Sequence, residues 1–259
     1  MARFGICAAP QQAPAIAAAG YDFIECPVPA VFGQTGEEGI FEESWRIIRE
    51  AGLVAEAFNC FISPEVKITG PDIDFEELIR QATRTLEKAH QMGGSVMVFG
   101  SGEARMIPEG FSCQRGREQI HHFLKTIGNE ALRIGIIVAI EPLCREACNV
   151  LNTVRQAAEV CRNLDQKNIR VLADYFHMGT DGEPLDNLKV APDLLAHVHI
   201  ADPQERVAPG QGPTDITPFF RALKGIGYDG RISLECRWKD FGREIREVLL
   251  KIKDQWQNA

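Results

Sequence analysis

The sequence predicts a (β/α)8 barrel, an α/β fold of one domain spanning residues 1–259. Three observations point there. Short apolar, β-rich runs recur eight times along the chain, segments with helical spacing lie between them, and no linker or shift in composition divides the chain. Eightfold strand–helix alternation over about 250 residues is the pattern of a closed parallel barrel.

The runs are, in order, "FGICAA" (4–9), "DFIECP" (22–27), "LVAEAFNC" (53–60), "SVMVFGS" (95–101), "GIIVAIEPL" (135–143), "IRVLADYF" (169–176), "LLAHVHIAD" (194–202) and "GRISLECRW" (230–238). Near-continuous apolar runs suit strands covered on both faces. Between the third and fourth, residues 74–93 put Phe75, Leu78, Ile79, Ala82, Leu86 and Ala89 on one helical face, and Gly93–Gly94 form a stop. Residues 116–135 and 241–256 carry the same spacing, and residues 216–230 read as a helix ending in glycines. A doubly wound open sheet is the competing fold. It would carry a glycine-rich phosphate turn after its first strand, whereas here that strand runs into "APQQAPAIAAAG".

Composition narrows the function. Hydrophobic residues make up 45% and charged residues 25%, as in soluble globular proteins. The net charge of −8 disfavours a general nucleic-acid surface. No apolar stretch is long enough for a membrane span, and the N-terminus lacks the apolar core of a secretory signal. The eight cysteines contain no C-x-x-C pair, and several lie inside apolar runs. A reduced, cytoplasmic protein whose cysteines pack as small hydrophobes is the expectation. The sequence is silent on oligomeric state, and a homo-oligomer stays open.

In such a barrel the chemistry sits at the C-terminal ends of the strands. Strand five ends in Glu141. Strand six carries Asp174 and then His177. Strand seven carries His197, His199 and then Asp202, and strand eight carries Glu235 and then Arg237. Side chains from the ends of four adjacent strands converge on a small volume. Three carboxylates and an imidazole there repel one another unless a cation joins them. Oxygen-rich ligation with one nitrogen suits Mn²⁺, Mg²⁺ or Co²⁺ and admits Zn²⁺. His197 shares a side with His199 one layer deeper, as a core residue or one that orients a ligand. Glu25 on strand two is either pocket lining or structural. His121 and His122 in a helical segment and His90 near a helix end are expected as surface or packing residues. Arg105, in the glycine-containing stretch 101–110, is expected as a solvated loop charge, and the stretch 28–39 is expected to wall the pocket.

Taken together, "IEPL", "ADYFHM", "HVHIAD" and "GYDGRISLECRW" resemble the xylose-isomerase-like TIM barrels. Within these they resemble the sugar phosphate isomerase/epimerase group that holds hydroxypyruvate isomerases and ketose 3-epimerases. The resemblance implies a divalent-metal-dependent isomerase or epimerase acting on a small carbohydrate. It implies Glu141, Asp174, His199 and Glu235 as metal ligands, with Glu141 and Glu235 as acid and base. It also implies His177 and Arg206 as substrate contacts. One stretch departs from the pattern. After strand five, relatives often read E-P-L-N-R-x-E, whereas this chain has "EPLCREA", with Cys144 in place of Asn and Ala147 in place of the second Glu. A metal-dependent lyase or dehydratase would share the same ligands. A non-catalytic sugar-binding relative is a third reading. A three-zinc abasic-DNA endonuclease would need more than the six histidines present.

Overall fold

The computed structural model describes residues 2–33 and 38–259, so part of the predicted pocket wall 28–39 lies outside the described residues. Eight parallel strands close into a barrel in sequence order. They are β1 (Arg3–Cys7), β2 (Phe23–Pro27), β3 (Ala55–Asn59), β4 (Val96–Phe99), β5 (Ile137–Ile140), β6 (Ile169–Asp174), β7 (Leu195–Ile200) and β8 (Arg231–Leu234). Pairing of β1 with β8 completes the closure, with Gly5 opposite Ser233.

The outer helices are α1 (Ala13–Ala19), α3 (Glu38–Glu50), α4 (Phe75–Gln91), α6 (Cys113–Ile134), α7 (Val154–Leu164), α9 (Thr217–Gly225) and α10 (Phe241–Asn258). Three short helices lie in the loops after β2, β4 and β6: α2 (Val28–Phe32), α5 (Gly102–Arg105) and α8 (Tyr175–Thr180). Four of the outer helices, α4, α6, α7 and α10, start at side-chain caps. Asp74, Ser112, Thr153 and Asp240 each accept from the backbone N–H three residues on. On α4, Leu78, Ala82, Leu86 and Ala89 are buried as their spacing predicts, while Phe75 and Ile79 are half-buried. The apolar runs of the sequence overshoot the strands. Glu141 to Leu143 leave the sheet at a Pro, and Tyr175 and Phe176 already belong to α8.

Two shells of core result. The main one lies between strands and helices. A smaller one of Ala57, Val96, Val98, Ala139 and Leu172 fills the barrel interior. Phe23 completes that filling, because β1 offers it no side chain: a Cβ on Gly5 would stand 2.2 Å from the Phe23 ring. The N-terminal end of the barrel is closed by charge pairing. Glu56 accepts from Arg3 Nη1 and Arg231 Nε, both at 2.7 Å, and Arg231 reaches Ser95 Oγ at 3.0 Å. One end is thus sealed and the other is free for a site.

Candidate metal centre at the barrel mouth

Inward-facing positions alternate along each strand, so the same parity that puts Ala139, Leu172, His197 and Ser233 inside puts Glu141, Asp174, His199 and Glu235 above them. Each of these four offers a ligand atom, and those atoms all lie within 4.8 Å of one another. His199 stands at the centre of the cluster. Its Nδ1 is 3.1 Å from Glu141 Oε1 and 3.6 Å from Glu235 Oε2. Its Nε2 faces the other way and donates to Glu25 Oε1 at 2.9 Å. Asp174 is held by its own backbone: as the N-cap of α8, its Oδ1 accepts from the Phe176 N–H at 2.7 Å. Its Oδ2 is buried and has no hydrogen-bond partner. An orphaned, buried carboxylate oxygen aimed at two further carboxylates is costly unless a cation joins it. The donor set of three carboxylates and one imidazole therefore fits a divalent ion.

The electrostatics say the same. Burial, together with Glu141 and Glu235, pushes the Asp174 carboxyl up to about 6, despite the nearby His177. Burial opposes a charge on His199, yet Glu25, Glu141 and Glu235 together draw it well above the ordinary histidine value. Glu141 is pushed up by burial, but His199 and the more distant Arg105 hold it below the usual range. The cluster carries an excess of negative charge, and the His199 proton is the cation that it has of its own.

His177 and Arg206 border the cluster. The Cys144 N–H donates to His177 Nδ1 at 3.2 Å, which leaves the proton on Nε2. That Nε2 lies 3.7 Å from Asp174 Oδ2. Arg206 donates to Glu235 Oε2 at 2.9 Å, and its guanidinium lies over the Phe176 ring, 4.5 Å from the centroid. Its backbone has φ of 53°, a left-handed conformation. Asp202 stands apart from the cluster and shapes the loop that carries Arg206, accepting from the N–H groups of Gln204, Glu205 and Thr214. Arg237 is also outside the cluster, where its N–H donates to the Arg206 carbonyl. In the loop after β5, Glu146 is exposed, Ala147 is half-buried, and Arg145 pairs with Asp181 at 2.7 Å.

One expectation is corrected. Arg105 is not solvated but fully buried on α5. Its guanidinium donates to the carbonyls of Phe99 at 2.9 Å and Glu141 at 2.8 Å, bridging the ends of β4 and β5. The Glu141 carbonyl is left over where the strands part, that of Phe99 also accepts from the Glu141 N–H at 3.1 Å, and a planar guanidinium can serve both. Gly100 carries no signal of charge or motif, Glu25 reads from sequence as either pocket lining or structural, and both shape the centre. Glu25 is completely buried and bonded to both His197 and His199. His197 is the deeper residue its parity implies. His90 and His122 are exposed and His121 half-buried, with His122 stacked on Phe75.

Residues 13–255 match the family of xylose isomerase-like TIM barrels. The chain belongs to that family. It is 31% identical to a 3-dehydro-D-guloside 4-epimerase of Escherichia coli (strain K12), over 61% of this chain and 63% of the relative. The match thus spans a little under two thirds of that relative's length. A ketose 3-epimerase of Arthrobacter globiformis is 27% identical over 84% of this chain and 73% of its own. Among solved structures, a 3-keto-D-glucoside 4-epimerase from E. coli superposes with a TM-score of 0.81 at 25% identity, covering 98% of this chain and 100% of the other. Among the described residues no helix is long and apolar enough to cross a membrane, and all eight cysteines are free.

Proposed function

We propose that this xylose isomerase-like barrel is a divalent-metal-dependent sugar epimerase or isomerase acting on a ketose or small hydroxy-keto compound through an ene-diolate. The observation that carries the proposal is the convergence of Glu141, Asp174, His199 and Glu235 on one point at the open end of the barrel. The relatives named above, which are epimerases of keto-sugars, support a carbohydrate substrate.

Glu141, Asp174, His199 and Glu235 would hold the ion, which supplies Lewis-acid polarisation of the substrate carbonyl and so acidifies the neighbouring C–H. Glu141 and Glu235 then act as base and acid. Glu141 is almost fully buried, at 7% side-chain exposure, while Glu235 is the more open at 24%. One glutamate takes the proton from carbon. The other returns a proton to the opposite face, giving epimerisation, or one is returned to the adjacent carbon, giving isomerisation. Burial raises the basicity of Glu141, against the opposing pull of His199. Arg206, paired to Glu235, steadies that carboxylate and offers its remaining N–H groups to substrate oxygens. His177 presents its Nε2–H on the same side.

The test is to incubate metal-stripped and Mn²⁺-loaded protein with ketoses, sugar phosphates and hydroxypyruvate in D₂O and analyse the products by mass. Product one dalton heavier per turnover, seen only with metal, is the expected result. Loss of water would reassign the chain as a dehydratase. Binding of a ketose without exchange would reassign it as a binding protein.

A further inference from the structure

Most of the barrel interior below the metal centre is apolar: Phe23, Ala57, Val96, Val98, Ala139 and Leu172. A small polar cluster of Glu25, His197 and Ser233 interrupts it. Glu25 is wholly buried, its Oε1 bonded to His199 Nε2 at 2.9 Å and its Oε2 to His197 Nε2 at 2.7 Å. All three side chains have no exposure at all. His197 is held in turn by Ser233 Oγ at 3.4 Å and by the Phe23 ring, its Nδ1 having no partner. A buried acid between two imidazoles is a poor way to fill a core. Desolvation makes such groups no more stabilising than apolar residues of similar volume. Its consequence is geometric. Glu25 can only accept, so it fixes a proton of His199 on Nε2, and Nδ1, which faces Glu141 and Glu235, is the nitrogen left to ligate once its own proton is displaced.

We propose that Glu25, itself fixed by His197, is a positioning residue that sets the tautomer and ring orientation of His199 for binding the divalent ion. The proposal rests on the metal-dependent reading above, but it is tested by metal affinity and tautomer rather than turnover. Neither Glu25 nor His197 touches the ion or substrate. They act through His199, and His197 holds Glu25 so that its second oxygen is not left bare.

Two measurements decide it. The first compares Mn²⁺ affinity of wild type and Glu25→Gln, read by electron paramagnetic resonance of free Mn²⁺, with thermal unfolding in chelator as the control for fold. Losing a carboxylate partner of a ligating histidine weakens metal binding about 10–100-fold. Exchange activity of Glu25→Gln is expected to recover towards the wild-type rate at saturating Mn²⁺, which a general loss of structure would not allow. Unchanged Mn²⁺ affinity in a folded Glu25→Gln protein overturns the proposal. The second needs no variant: ¹⁵N-histidine NMR of the Mg²⁺-loaded wild type. His199 with its proton on Nε2 is expected, and a proton on Nδ1 overturns the proposal. If Glu25→Gln loses Mn²⁺ affinity while wild type exchanges no substrate proton, the positioning role stands and the assigned reaction falls.

Discussion

Gly100 leaves the space that the Glu141 carboxylate occupies: a Cβ at position 100 would stand 2.2 Å from Glu141 Oε2. Glycine at the end of β4 is thus a steric requirement of the neighbouring strand's Glu141 carboxylate. Gly100→Ala should displace that carboxylate while leaving the barrel folded. A shift of about 1 Å in a reacting group costs on the order of 100-fold in rate. Activity and Mn²⁺ affinity should both fall by at least about ten-fold. Wild-type values for both would show that Glu141 does not need its observed place.

Arg105 ties the ends of β4 and β5 through two carbonyls, with no carboxylate bonded to it. Arg105→Met keeps much of the volume and leaves the Glu141 carbonyl buried and unbonded, while the Phe99 carbonyl keeps only its bond from the Glu141 N–H. One such orphaned group costs about 1–3 kcal/mol, so a loss of about that size in denaturant unfolding is expected. Arg105→Lys should recover only part, because an ammonium lacks the planar fork. A loss under about 0.5 kcal/mol for Arg105→Met, the range of ordinary surface changes, would contradict the bridge.

Protons should compete with metal at the proposed ligands. Asp174 is raised to about 6, chiefly by burial, and His199 is raised further above its ordinary value by its carboxylate neighbours. Both groups must be deprotonated to bind the ion, so affinity is greatest above these values and falls as pH drops through them. Asp174 alone predicts a loss of about ten-fold in Mn²⁺ affinity between about pH 7.5 and about pH 5. Binding should release protons, seen as a buffer-dependent heat in calorimetry. Affinity independent of pH over that range would remove Asp174 and His199 as ligands.

Arg206 touches Glu235 and the Phe176 ring but offers no metal-ligating atom. Arg206→Ala should therefore raise KM about ten-fold or more while Mn²⁺ affinity stays within about three-fold, the pattern of a lost substrate contact. The opposite split, with metal affinity lost and KM kept, would make Arg206 a support for the metal centre instead.

The barrel was legible because its strands are buried on both faces and read as apolar runs. The four cluster residues were legible because each charge falls at the end of such a run. Strand limits were blurred where the apolar pattern continues into α8, since Tyr175 and Phe176 are as apolar as the strand before them. Arg105 misled because its loop holds glycines and charges, and composition does not reveal that a strand-end carbonyl awaits a donor. Glu25 was ambiguous for a related reason. A carboxylate on a strand is the same letter whether it faces a substrate or two histidines from a strand 172 residues away. Gly100 gave no signal, because what it accommodates is a side chain of the next strand.

The most direct measurement is solvent-deuterium incorporation into a turned-over keto-sugar by Mn²⁺-loaded wild type, Glu141→Gln and Glu235→Gln, each checked for bound metal. The account predicts exchange in the wild type and a loss of at least about 100-fold in both variants, the scale of removing a general base. Exchange at the wild-type rate in either metal-loaded variant would contradict proton transfer by the two glutamates of this centre.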